Sequence, residues 1–85
     1  MELEEMRGRW NEVLDAILLQ DRVAWLAFFD ARLADFDGKR LTLDFSDSQK
    51  LGAAHEFSHA RIRHQQILAQ TLKSLFSLDV EIIEL

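Results

Sequence analysis

Between Leu3 and Leu18 the apolar residues Leu3, Met6, Trp10, Val13, Leu14, Ile17 and Leu18 recur at steps of three and four. At about 100° per residue this spacing gathers them into one stripe, which predicts an amphipathic helix. Asp21 follows, with a side-chain oxygen able to accept the free backbone N–H groups of a new turn. Trp25, Phe28 and Phe29 then form the stripe of a second, shorter helix. After Asp30 the period drops from about 3.6 to about 2. Leu41, Leu43 and Phe45 alternate with Arg40, Thr42 and Asp44, as a half-buried strand requires. Ala31 to Phe36 precedes this strand, and Asp37-Gly38 between them tolerates the positive φ angles of a tight turn, so the pair reads as a β-hairpin.

Ser46 or Asp47 can cap a long helix that reaches Phe76, with Leu51, Phe57, Ala60, His64, Ile67, Leu68, Leu72 and Leu75 as its apolar positions. Leu51 lies roughly 120° around an ideal wheel from Phe57, so a kink is expected between Gly52 and Ser58. Asp79 to Leu85 closes the chain as another strand. The expected order is therefore α-α-β-β-α-β, an α+β domain in which helices cover one face of a three-stranded sheet.

The chain is 85 residues long, and a chain this short forms a single domain, here 1–85. With 48% hydrophobic and 29% charged residues it has the composition of a folding sequence. Ten bases against fifteen acids give a net charge of −5, which repels phosphate backbones and anionic lipid and makes nucleic acid an unfavoured partner. Zero Cys removes disulfides, thiolate metal sites and thiol nucleophiles together, and fits a cytoplasmic location. The longest apolar stretch, Val23 to Phe29, is far short of the roughly 20 residues of a membrane span, and the acidic start is unlike a signal peptide.

Candidate chemistry is concentrated in His55-Glu56-Phe57-Ser58-His59, which matches H-E-x-x-H, where two His one helical turn apart bind zinc and the Glu acts as general base. A catalytic zinc also needs a third protein ligand and a cleft that keeps one position for water. His64 lies about 180° around the helix from His55, which leaves Glu81 and Glu84 as conceivable ligands. The wheel turns His55 and His59 away from the apolar stripe, so a solvated His-Glu-His face is the favoured reading and no cofactor is expected. A metal-binding or zinc hydrolase module at His55, Glu56 and His59 is the alternative. His64, inside the stripe, reads as a structural histidine.

There is no Gly-rich phosphate loop and no Ser or Thr nucleophile motif, so no catalytic residue is expected. Lys50, Arg61, Arg63 and Lys73 make the long helix the most basic element, read as a solvated face, with single-strand nucleic-acid binding as a further alternative. Leu19 projects opposite the first stripe, and Val23 and Leu26 sit off the Trp25 to Phe29 face. One small core cannot bury them all, so Leu19, Val23 and Leu26 are the candidate partner-binding residues, with the second helix as the contact element.

The segment Leu3 to Leu14 with its Arg7, Arg9, Trp10, Val13 and Leu14, then Ala24-Trp25, then Asp37-Gly38-Lys39-Arg40-Leu41-Thr42-Leu43-Asp44-Phe45, resembles the C-terminal region of bacterial DNA polymerase III gamma/tau subunits. The likeness is greatest to the type found in actinobacteria and some other Gram-positive lineages. There an R-x-R-W-x-x-V-L start, an Ala-Trp and a D-G-x-x-L-T-L-x-F hairpin recur in that order. The end is also similar, a helix closing with Leu72, Leu75 and Phe76 followed by Asp79-Val80-Glu81-Ile82.

The resemblance implies a non-catalytic interaction domain, a piece of a longer subunit whose ATPase region is absent here. Its partners would be replisome proteins such as polymerase, helicase or initiator. It also implies a K-homology-like fold similar to domain I of the bacterial replication initiator, and self-association through the first two helices. The sequence departs from the family at Asn11, where Pro is usual, and at Ser77-Leu78, where Gly often stands before the last strand. The G-x-x-G loop of nucleic-acid-binding K-homology domains is absent.

Overall fold

The computed structural model describes residues 1–45 and 58–85. The expected helix start at Ser46 or Asp47, the apolar positions Leu51 and Phe57 and the expected kink after Gly52 lie outside the described residues. The elements are α1 (Leu3–Gly8), α2 (Trp10–Gln20), α3 (Arg22–Phe28), β1 (Arg32–Phe36), β2 (Arg40–Asp44), α4 (Ser58–Phe76) and β3 (Glu81–Glu84). The class is α+β, helices packed on a three-stranded sheet.

The single helix expected over Leu3 to Leu18 is interrupted. Arg9, with φ −110° and ψ 9°, leaves the helical region between α1 and α2, and its N–H is shared between the carbonyls of Glu5 and Met6. Gly8, just before it, weakens a helix by about 1 kcal/mol relative to Ala. The Arg9 side chain then stabilises the corner, lying 4.5 Å over the Phe76 ring and hydrogen-bonding Glu12. The apolar spacing survives the break, because Met6, Trp10, Val13, Leu14 and Ile17 are all buried.

At the next corner Asp21 is extended, and its carboxylate accepts the N–H groups of Val23 and Ala24 at 2.9 and 3.2 Å, the cap expected for α3. In the hairpin, β1 and β2 pair antiparallel, Leu33 opposite Leu43 and Phe36 opposite Leu41, with a register shift between Leu33 and Asp35. That irregularity lets both Leu33 and Phe36 point inward, although they are three residues apart. Gly38 takes φ 96°, and the Asp37 carboxylate accepts the N–H groups of Lys39 and Arg40 at 2.9 and 2.7 Å. Those bonds, Lys39 first, hold the Asp37 carboxyl below its usual range.

β3 adds to β2 in parallel, Leu41 beside Ile82, so the sheet is mixed with order β1-β2-β3. The core lies between this sheet and the helices: Val13 and Ile17 from α2, Ala24 and Phe28 from α3, Leu41 and Leu43 from β2, Leu68 and Leu72 from α4. Each large side chain fully buried there contributes about 1.5–3 kcal/mol. Leu18, Phe29 and Leu75, expected within the apolar stripes, are exposed, because a core of this size closes before the stripe edges are covered. α4 ends where Ser77 turns left-handed at φ 59° and returns its N–H to the Lys73 carbonyl, a conformation that favours Gly. No described helix is long and apolar enough to cross a membrane.

Candidate functional site

α3 has two unlike faces. Ala24 and Phe28, one turn apart, are 0% and 2% exposed and fix the helix against the core. On the opposite side Val23 and Leu26, three residues apart, are 50% and 47% exposed, and Leu19 at the end of α2 is 90% exposed. The buried pair leaves α3 no rotation that would hide the other two, since turning it would expose Phe28 instead. Trp25 is half-buried and stacks on Phe29, ring centroids 4.9 Å apart and planes at 15°, which stiffens the end of the helix. All three sequence-predicted residues are therefore at the surface, Val23 and Leu26 together on α3 and Leu19 just before the corner. Ile62 on α4 and Leu85 are exposed as well.

A polar cluster that the sequence reading did not find binds α4 to its neighbours. Glu84 of β3 accepts hydrogen bonds from Arg61, at 2.9 Å, and from Gln65. Arg63 reaches Asp21 at 3.8 Å, and Gln20 donates to Thr71 at 3.0 Å. His64 is buried in the middle of this arrangement. Burial holds its imidazole below the usual range, opposed by the charge of Asp21, reinforced by Arg63 and opposed again by Glu84. Two signals could have disclosed the cluster. Arg61 and Gln65 are four apart and share a helix face, and Glu84 has the parity of Ile82, which packs against the core.

These partners bear on the alternative readings. Glu84 is engaged by Arg61 and Gln65, and Glu81 pairs with Arg40 at 3.3 Å, so both conceivable metal ligands are already in use. His55 and Glu56 lie outside the described residues, as does the His59 side chain. Among the described residues no group of three or more His, Asp or Glu could hold a metal. Arg61 and Arg63, the centre of the expected basic face, are paired with carboxylates, which reduces what they offer to a phosphate backbone.

Of the quoted family-like residues, Arg7 donates to the Leu33 carbonyl at 2.9 Å and ties α1 to β1, Arg9 holds the first corner, and Trp10 is buried. They are scaffold residues here and do not line the exposed face of α3. Compared with protein-family models, curated proteins and solved structures, the chain matches none.

Proposed function

We propose that the chain is a non-catalytic protein-interaction domain of a DNA-replication clamp-loader subunit of the gamma/tau kind, acting in the cytoplasm to link the clamp loader to other replisome proteins. The observation that carries the interaction reading is the exposed apolar side of α3, Val23 and Leu26 with Leu19 beside the corner, held outward by a helix whose other side is locked into the core. The choice of replication rests on the resemblance of the Arg7 to Leu14 segment, Ala24-Trp25 and the Asp37 to Phe45 hairpin to that family.

Isothermal titration of the domain against a bacterial replicative helicase, a replicative polymerase subunit and a replication initiator tests both parts. Binding to one of them that weakens about 30-fold in Leu26→Asp, with the circular dichroism unchanged, is the expected result, the size of one interfacial anchor. Silence from all three partners overturns the replication assignment. Binding that is indifferent to Leu19, Val23 and Leu26 overturns the surface.

A further inference from the structure

Arg22 sits within the exposed side of α3. Leu26 lies four residues after Arg22 and three after Val23, so its side chain neighbours both of theirs on the exposed side of the helix. The other arginines of the described residues are occupied. Arg7 donates to the Leu33 carbonyl, Arg9 to Glu12, and Arg40, Arg61 and Arg63 pair with Glu81, Glu84 and Asp21; Arg32 makes contacts of its own. Among the described residues Arg22 alone of the arginines has a guanidinium that makes neither an ion pair nor a hydrogen bond, whether to side chain or backbone.

Resting on the interaction reading above, we infer that the partner presents an acidic amphipathic helix, its apolar stripe seated on Val23 and Leu26 and a carboxylate placed against Arg22. An unpaired guanidinium covered by a neutral or basic partner loses its water and receives nothing in return, whereas a carboxylate meets it with two parallel hydrogen bonds. A second copy of this chain is a poorer occupant. Two-fold pairing of so small a face brings two Arg22 side chains together and sets two molecules of net charge −5 side by side. That overall charge also opposes an acidic helix, but at physiological salt it is screened beyond about 8 Å, while the Arg22 contact is direct.

The test uses two synthetic helical peptides of about five turns with the same leucine stripe, one with Glu and the other with Lys at its polar positions. Affinity is read by calorimetry and location by backbone amide shifts. The Glu peptide binds at least about 10-fold tighter, shifts the amides of residues 22–26, and loses the preference in Arg22→Glu, which favours the Lys peptide instead. Leu26→Ser weakens both. Equal binding of the two peptides, or a preference that survives Arg22→Glu, sinks the acidic partner while leaving the interaction reading to the replisome titration. Concentration-dependent dimers that Leu26→Ser dissociates overturn the inference in favour of self-association.

Discussion

The two ends of α4 are held by different physics. Its carboxyl-terminal half is docked through Leu68 and Leu72, both fully buried against the sheet and α2. Its amino-terminal half is tied by Arg61 and Gln65 to Glu84, and by Arg63 to Asp21, around the buried His64. Apolar burial does not depend on pH or salt to first order, and charged contacts depend on both. One helix therefore has an end that responds to solution conditions and an end that does not. The responsive end lies beside the Asp21 cap on which α3 and its exposed face begin.

The largest effect that separates the ends is a cavity at the apolar one. Leu72→Ala removes a fully buried side chain and is expected to lower the unfolding free energy by about 2–5 kcal/mol. The loss, read from urea denaturation, should be nearly the same at low and high salt. A loss that shrinks strongly with salt would show that the apolar end is electrostatically held after all.

Next comes the polar end. Glu84→Ala strips Arg61 and Gln65 of their shared acceptor; Arg61 is 43% exposed and Glu84 13%, so solvent discounts the pair and about 1 kcal/mol is expected. Half or more of that loss should disappear in molar salt. Native-state hydrogen exchange sharpens the contrast, since protection should fall over the first turns of α4 and persist around Leu68 and Leu72. Uniform loss of protection along α4 would mean that the two ends open as one unit.

pH acts on the same end through His64. Its imidazole titrates lower in the folded chain than the ordinary 6.5, because burial outweighs the pull of Asp21 and Glu84. The unfolded chain then takes up a proton that the folded chain refuses, so the stability contributed by neutral His64 is complete above pH 6.5 and is lost as pH falls toward the folded value. His64→Gln should flatten this part of the stability-against-pH curve. A curve unchanged by the substitution assigns the slope to other groups.

Much of the frame was legible in the sequence, because local rules decide it. The alternation around Leu41 and Leu43, the Asp37-Gly38 turn and the Asp21 cap each depend on a few neighbouring residues, and each stands where expected. The break at Arg9 was not legible, since Met6 and Trp10 keep their four-residue spacing across it. Stripe membership also overstated burial at Leu18, Phe29 and Leu75, whose fate depends on where a small core runs out. Leu19, Val23 and Leu26 were readable as surface because each departs from a stripe. The Glu84 cluster was marked only in part, by the shared helix face of Arg61 and Gln65 and the parity of Glu84, and the isolation of Arg22 not at all, because the pairings depend on which acids the fold brings near which bases. His55 and Glu56, the strongest chemical motif in the chain, fall outside the described residues.

The smallest effect tests whether a charged pair alone makes an end responsive. Lys73 at the carboxyl-terminal end of α4 bonds Asp79 at 2.9 Å, as short a contact as that of Arg61 to Glu84. Both partners are mostly exposed, 68% and 85%, so water competes for each charge and the pair contributes little. Lys73→Ala is therefore expected to change the unfolding free energy by less than about 0.5 kcal/mol, even counting the loss of a cation near a helix carboxyl terminus. The equal lengths make this the informative control: the difference between the ends is assigned to the depth of Glu84 and not to distance. A loss at Lys73 equal to that at Glu84, measured side by side in low salt, would remove burial as the reason that the two ends of the helix differ.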